Sequence, residues 1–281
     1  MNMKAARLCS IVFIALALVL SVGSARATLT LSDGNSVASI DPTSSSGMYN
    51  WTVDGISQLY QQWFWYGVGA GGDYSLNTLS APSIVQVGSN QATITYKDTT
   101  TDPTAGLQVA VTYLLSGGAL HSGESDMSEI INIENNSGHA LDLHFFQYSD
   151  FDLDGTPNNQ NVAISLDSTG KLGIAATQTS ALGSLSETAD SPYASRWEAN
   201  TYASTLNNLE STPGYRLNDA VTASGDATWA FEWDKTISAG GSLLISKDKH
   251  LAVYVPEPAT ILGLGAILLV VGRKLRTRLG A

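Results

Sequence analysis

Apolar residues that alternate with polar ones recur through the middle of this 281-residue chain, and this pattern constrains its fold most strongly. Alternation with a period of two puts successive side chains on opposite faces of an extended strand. The pattern is clear in Ala92–Tyr96, Leu107–Leu115 and Glu129–Ile133. Ser and Thr supply 58 residues and Gly another 26, which favours strands and turns over helices. We therefore predict an all-β fold, a single antiparallel β-sandwich.

Turn residues between these runs predict how the strands connect. Asn135–Gly138 precedes a further alternating run at Ala140–Phe146. Near the end of the body, Ala239–Gly241 separates Thr228–Trp233 from Ser242–Ser246. Both patterns are typical of hairpins, in which strands adjacent in the chain pair with each other.

One segment breaks the strand pattern. Tyr193–Leu209 has the spacing of a short helix and is followed by Pro213 and Gly214, which stop helices. No Pro-rich or charged linker divides residues 28–254, so we expect one domain with a short helical excursion.

Charge is unevenly distributed along the chain. Residues 28–255 carry 7 Lys and Arg against 24 Asp and Glu, a net charge of −17 between two basic ends. A body this acidic does not bind polyphosphate by releasing counterions, so we expect no nucleic-acid partner. Only 14% of the chain is charged, against roughly 25% in an ordinary soluble domain. This deficit argues against a cytosolic enzyme.

Residues 1–27 have the layout of a secretory signal peptide. A basic start is followed by the apolar run Ile11–Leu20 and by small residues at Ala25 and Ala27. We expect cleavage before Thr28. An uncleaved membrane anchor is the weaker alternative, because the apolar run is about half of the roughly 20 residues that a transmembrane helix needs.

The other end, residues 255–281, combines three features in a fixed order. Pro256, Glu257 and Pro258 come first, and an apolar run at 259–272 follows. As a helix this run would be about 21 Å long, enough to cross a bilayer only if the flanking residues or the membrane adapt. Four cations directly after it would hold that end in the cytoplasm by the positive-inside rule, which places the acidic body outside.

This order of a Pro-Glu-Pro motif, an apolar run and a basic end resembles the PEP-CTERM sorting signal of Gram-negative bacteria. In that family an exosortase, a membrane cysteine protease, recognises the signal, and the hosts typically make exopolysaccharide and biofilm matrix. The resemblance implies export through the inner membrane, transient anchoring by the C-terminal helix, and delivery to the cell surface or the extracellular space. A plain C-terminal anchor is the alternative. A sorting signal is an address and assigns no activity to the protein that carries it.

An acidic segment offers a candidate metal site. Asp150, Asp152 and Asp154 are spaced by two and followed by Gly155, as in the first half of a calcium-binding loop. An EF-hand needs a glutamate at the twelfth position, where this chain has Asn161, so the segment is not an EF-hand. Two interpretations stay open: a looser Ca²⁺ site that adds Asn158 or Asn161, and a solvated turn at a strand end.

Aromatic residues cluster in a second segment. Trp63, Trp65 and Tyr66 lie within four positions, and two of them would share one face of a strand. Aromatic rings on an exposed face could stack on sugar rings, so these residues are candidate glycan contacts. The alternative is that they belong to the core, because each aromatic side chain buries a large apolar area.

Patterns typical of catalysis are sparse. The sequence has no paired histidines at metal-ligand spacing, no Gly-x-Ser-x-Gly elbow and no phosphate or dinucleotide loop. Two carboxylates such as Glu129 and Asp150 could flank a glycosidic bond, but their spacing does not select them among many pairs. We therefore expect no enzyme and no required cofactor. The sequence predicts an exported structural or adhesive protein of the cell surface or matrix, associated with exopolysaccharide. The alternatives are a carbohydrate-binding module and a glycan-processing enzyme.

Overall fold

The structure, a computed structural model, describes residues 28–98 and 106–255. The predicted signal peptide with Ala25 and Ala27, and the predicted sorting segment with Pro256, Glu257 and Pro258, lie outside these residues. The expected membrane helix at 259–272 lies outside them as well. Within the described part of the chain, no helix has the length and apolar character needed to cross a membrane.

Strands dominate the described chain. The first nine are β1 (Leu29–Asp33), β2 (Ser36–Asp41), β3 (Gly47–Val53), β4 (Ile56–Ser57), β5 (Gln61–Val68), β6 (Asp73–Ser75), β7 (Ser83–Val87), β8 (Gln91–Lys97) and β9 (Leu107–Gly117). The other nine are β10 (Glu124–Asn135), β11 (Leu141–Asp150), β12 (Gln160–Leu166), β13 (Gly173–Thr179), β14 (Gly183–Ser191), β15 (Arg196–Thr201), β16 (Thr222–Gly225), β17 (Ala227–Ile237) and β18 (Ser242–Val253). Helix α1 spans Ser204–Ser211, and short 3-10 turns lie at Leu76–Thr78 and Leu153–Gly155.

These strands form two nine-stranded sheets. The first sheet has the order β1-β2-β3-β5-β11-β17-β15, with β4 paired to β3 and β6 to β5. The second has the order β16-β12-β13-β14-β18-β10-β9-β8-β7. Pairing is antiparallel except for a short parallel contact between β3 and β5. The predicted all-β, antiparallel fold is confirmed.

The two sheets pack face to face around one apolar core. On the first sheet, Phe64 stacks on Phe145 with ring centroids 5.6 Å apart, and Phe151 stacks on Trp229 at 5.5 Å. Alternating residues of the second sheet, such as Val109 and Val111 of β9, are buried in the same core. Large buried aromatic surfaces of this kind supply much of the apolar burial that stabilises a sandwich without disulfides.

Both predicted hairpins are wrong in their pairing. β10 lies in the second sheet and β11 in the first, and β17 and β18 are separated in the same way. Each turn therefore crosses from one sheet to the other. Buried Asn135 joins the two crossings, because its side-chain amide donates to the carbonyl oxygens of His139 at 2.8 Å, Ile237 at 2.9 Å and Ser238 at 3.1 Å. Every strand has its hydrogen-bonding partners within its own sheet. The turn residues therefore determine only that the chain reverses direction, and not which strands pair.

The predicted helical stretch Tyr193–Leu209 is only partly helical. Its first half contains β15, which pairs with β17 and completes the first sheet. Pairing of Trp197 with Phe231 on an apolar face outweighs the helical spacing of the segment. The helix α1 starts later and lies over the outer face of the first sheet, with Leu206 and Leu209 buried.

Candidate functional site

The site lies at the end of the first sheet where β11 stops. Side chains of β11 alternate, so His144, Phe146, Tyr148 and Asp150 face outward while Phe145 faces the second sheet. Asp150 is the last residue of the strand. Its neighbours β5 and β17 both begin at this end because they run antiparallel to β11. β15 also ends here, because it runs antiparallel to β17. Residues that precede β5 and β17, or follow β11 and β15, therefore converge around Asp150.

Three carboxylates meet there. One oxygen from each of Asp150, Asp152 and Asp226 lies within 4.8 Å of the others. Asp152 follows β11, and Asp226 immediately precedes β17, so two distant segments supply the group. All three line a cavity of about 180 Å³. They could share a proton or hold a cation, since ionised carboxylates this close repel one another.

Asp150 is the most perturbed of the three. Its side chain is 1% exposed, and burial, with the charges of Asp152 and Asp226, raises its pKa to about 8. The Tyr148 hydroxyl donates to Oδ2 at 3.2 Å, whereas Oδ1 has no hydrogen-bond partner. Burial also raises the pKa of Asp152 and of Asp226. Asp150 therefore holds its proton to a higher pH than an ordinary carboxyl group, and one of its oxygens is left for a ligand.

Two tyrosines form the rim of the cavity. Tyr60 precedes β5 and Tyr202 follows β15, and both line the cavity while remaining 51% and 43% exposed. Their rings meet edge to face with centroids 5.6 Å apart. The amide of Tyr60 donates to the Asp150 carbonyl at 3.0 Å, and that of Tyr202 donates to the Asp226 carbonyl at 2.9 Å. Backbone hydrogen bonds thus fix each aromatic ring beside a carboxylate.

The candidate calcium residues are only partly brought together. Asp154 lies in the 3-10 turn with φ 63° and lines a neighbouring cavity together with Asn158. The side-chain oxygen of Asn161 accepts from Ser224 at 2.8 Å. The cluster therefore replaces Asp154 with Asp226, and the cavity lining contains no amide side chain. Ca²⁺ prefers six to eight oxygen ligands, so this cavity would need water or bidentate carboxylates to complete the shell.

The predicted glycan platform lies in the interior. Trp63 and Trp65 are 1% exposed and Tyr66 is 5% exposed. Trp65 packs edge to face on Tyr148, and the Trp63 indole N–H donates to Ser75 Oγ at 2.9 Å. These rings cannot receive a sugar on their faces, so the structure supports the core interpretation of this segment.

Sequence reasoning missed three residues of the site: Tyr60, Tyr202 and Asp226. Each lies just outside a strand. Tyr60 and Asp226, each at least 70 positions from Asp150, reach it because β5 and β17 pair with β11. Tyr202 reaches it because β15 pairs with β17. The one local signal is Gly225, whose φ of 105° turns the chain sharply before Asp226. That signal marks a turn but does not say what the turn faces.

A second polar group lies farther along the same outer face. His144 hydrogen-bonds Asp234, and the Arg216 guanidinium contacts Glu232 at 3.3 Å and Asp73 at 3.5 Å. Burial raises the pKa of Glu232 to about 8. The side chains of Glu232 and Asp73 are 0% and 1% exposed. We interpret the buried contacts of Arg216 with Glu232 and Asp73 as holding the segment after α1 against the first sheet.

Glu129, named above as a partner for Asp150, lies elsewhere. It is fully buried between the sheets, where its carboxylate pairs with Lys247 and Lys249, the latter at 2.7 Å. Glu187 pairs with the same two lysines. This interior ion network excludes Glu129 from the cavity.

Comparison with known proteins finds likeness at the level of structure. No model of a known protein family matches the sequence, and a search of curated proteins finds no match. A galactose mutarotase-like protein from Clostridium acetobutylicum superposes with a TM-score of 0.51 at 10% identity, over 80% of this chain and 94% of that one. The galactose 1-epimerase from Lactobacillus acidophilus gives 0.50 at 9% identity over the same shares.

A bacterial glucoamylase complexed with acarbose gives a TM-score of 0.54 at 7% identity, over 83% of this chain. This chain spans about a third of that protein, with 32% of it covered. The expectation that the chain is not an enzyme is contradicted by these likenesses, because the matched structures include an epimerase and a glucoamylase. At these identities the likeness shows a shared fold, a large antiparallel β-sandwich.

Proposed function

We propose that this protein is an exported carbohydrate-processing enzyme whose site is the cavity around Asp150. The observation that carries the proposal is a buried carboxyl group with a raised pKa and an unpartnered oxygen, set beside two further carboxylates in one cavity. Pairs of titratable groups whose environments separate their pKa values are the usual arrangement for acid and base roles. The fold shared with sugar-acting proteins agrees with this chemistry.

Asp150 is the general acid in this proposal. It would donate its proton to an oxygen on the anomeric carbon of a bound sugar, which weakens the bond between that oxygen and the carbon. Asp152 or Asp226, in its ionised form, would stabilise the positive charge that develops at the carbon as the protonated oxygen leaves. A water molecule then bonds to the carbon and passes its proton to that carboxylate. Both are more exposed than Asp150, so solvent can return the proton.

Tyr60 and Tyr202 would hold the sugar in place. Their exposed rings present apolar faces next to carboxylates that accept hydrogen bonds from sugar hydroxyls. Small-molecule sites typically combine such surfaces with a few fixed polar groups. Burial of the acid beneath this rim raises its pKa.

The test compares Asp150→Asn with Asp154→Asn. The variants change the same residue type four positions apart, but only the first changes the cavity. Purified protein is assayed for mutarotation of aldoses by polarimetry and for reducing-end release from neutral glycans. We expect Asp150→Asn to lose at least 100-fold in kcat, the usual scale of general-acid catalysis, and Asp154→Asn to keep it. Equal activity of Asp150→Asn and the wild-type protein would refute the role of Asp150.

The second part of the proposal concerns where the enzyme works. A PEP-CTERM signal at Pro256, Glu257 and Pro258 would make an exosortase and, through the helix at 259–272, the membrane its partners. Exopolysaccharide at the cell surface would then be the nearest carbohydrate. In the native host, Pro256→Ala with Glu257→Ala should leave full-length protein in the inner membrane. Unchanged processing of this double variant would reject the sorting motif.

A further inference from the structure

The cavity around Asp150 has neighbours on both sides. On one side Tyr60 also lines a cavity of about 350 Å³, together with Tyr49, Ser45 and Ser46. Tyr49 and Ser46 in turn line a third cavity of about 340 Å³ that reaches Thr28 and Asp41. The Asp150 cavity and the second cavity share Tyr60, and the second and third cavities share Tyr49, so the three cavities lie in a row.

The row continues past Asp150 in the opposite direction. Pro157 lines both the Asp150 cavity and a fourth one of about 360 Å³. That cavity is formed by residues 154–159, after β11, and by residues 180–182 in the turn between β13 and β14. The three carboxylates therefore lie within the row and not at its end.

Tyrosines and hydroxyl groups line the row on the Tyr60 side, and hydroxyl and amide groups line it beyond Pro157. Tyr49 and Tyr60 are 39% and 51% exposed, and hydroxyl and amide groups such as those of Ser46 and Asn158 lie between them and beyond Pro157. No lysine or arginine is among the residues that line these four cavities, whereas five aspartates are. A polyanion would meet like charge here, and a neutral chain of polar rings would meet aromatic faces and hydroxyls.

We propose that this row, the Asp150 groove, binds a neutral polysaccharide chain that passes through the acidic cavity. The chain occupies the Tyr49 and Tyr60 cavities on one side and the Pro157 cavity on the other. The oxygen presented to Asp150 is then a glycosidic oxygen within a chain, and a free sugar fills only one of four positions. This inference rests on the proposed function for the identity of the reacting cavity, but the binding groove can be tested separately.

The experiment is a chain-length series. Glucose oligomers with β-1,3 and β-1,4 linkages and β-1,4 mannose oligomers, each from one to six units, are titrated into the full-length protein by calorimetry. Oligogalacturonates of the same lengths test charge. We expect Kd to fall at least tenfold between one and four units in a neutral series, and the oligogalacturonates not to bind.

Variants locate the effect. Tyr49→Ala should remove most of the gain with chain length and leave binding of the single sugar unchanged, whereas Tyr49→Phe should keep the gain because the ring remains. Tyr193→Ala removes a similarly exposed ring, 43% exposed, that does not line these cavities, and should behave like the wild-type protein.

The outcomes separate the two proposals. Affinity that is independent of chain length, tighter binding of oligogalacturonates, or no binding in any neutral series would overturn the groove. Turnover that depends on Asp150 would still stand in that case. Conversely, a chain-length effect that depends on Tyr49, with full activity of Asp150→Asn, would keep the groove and reject the catalytic role of Asp150.

Discussion

Asp150 and Asp154 show how strongly position decides the chemistry of one residue type. Asp150 ends a strand beneath two tyrosines, where burial raises its pKa to about 8. Asp154 lies four positions later in a turn, and its amide donates to the Gln58 side chain at 2.7 Å. Asp150 has the environment of a general acid, whereas Asp154 has that of a turn residue.

The raised pKa of Asp150 predicts how stability depends on pH. The ordinary pKa of this group is 3.8 and its folded value is about 8, so folding takes up a proton between those values. Stability should therefore fall as pH rises through this window, with Asp150 contributing up to about 1.4 kcal/mol per pH unit. Asp150→Asn lacks this titration, so the melting temperature of the variant should fall less between pH 5 and pH 8.

Other carboxyl groups with raised pKa values, including Glu232, titrate in both proteins. The informative quantity is thus the difference in slope between Asp150→Asn and the wild-type protein, measured by differential scanning calorimetry. Asp154→Asn serves as the control and should follow the wild-type curve. Parallel curves for all three proteins would mean that Asp150 ionises normally.

At the scale of elements, the turns that cross between the sheets distinguish this sandwich from the predicted one. Alternation correctly predicted strands at β8, β9, β10 and β11, because a period of two depends only on which face is buried. The same turn residues serve a hairpin and a crossing equally well, so the pairing could not be predicted. It depends on partners far away in sequence, such as β18 for β10.

Asn135 should carry much of the stability of these crossings. Its amide nitrogen donates to three carbonyl oxygens and its side-chain oxygen accepts from the Ser137 amide at 2.9 Å. Asn135→Ala would remove these four hydrogen bonds, including the buried one to the Ile237 carbonyl, while the His139 and Ser238 carbonyls keep the Ser137 hydroxyl and the Gly241 amide as donors. We expect a loss of about 2 kcal/mol in the free energy of unfolding.

The matched control is Asn136→Ala, since Asn136 is the exposed neighbour of Asn135. Chemical denaturation should show a change within about 0.5 kcal/mol for this control. If both variants unfold at the same denaturant concentration, the side chain of Asn135 does not join the crossings.

At the scale of the whole molecule, the site is assembled from segments that lie far apart in sequence. Tyr60, Asp150, Tyr202 and Asp226 come together only because β5, β11, β15 and β17 are neighbours in the first sheet. The sequence pattern predicted Asp150 and Asp152 as a chemical feature, but their third partner required the strand order. The same strand order places the conspicuous Trp63 and Trp65 opposite Tyr148 and Phe146, on the face of the first sheet that carries Asp150, and there they are buried.

The pH dependence of turnover tests most directly whether Asp150 works as a protonated acid. The measurement is kcat/KM of the wild-type protein, from pH 5 to pH 10, on the neutral glycan that gives the highest rate. Since kcat/KM reports the ionisation of groups in the free enzyme, the rate should fall about tenfold per pH unit above an apparent pKa of about 8. A rate that stays constant or rises from pH 8 to pH 10 would contradict the assignment of Asp150 as the proton donor.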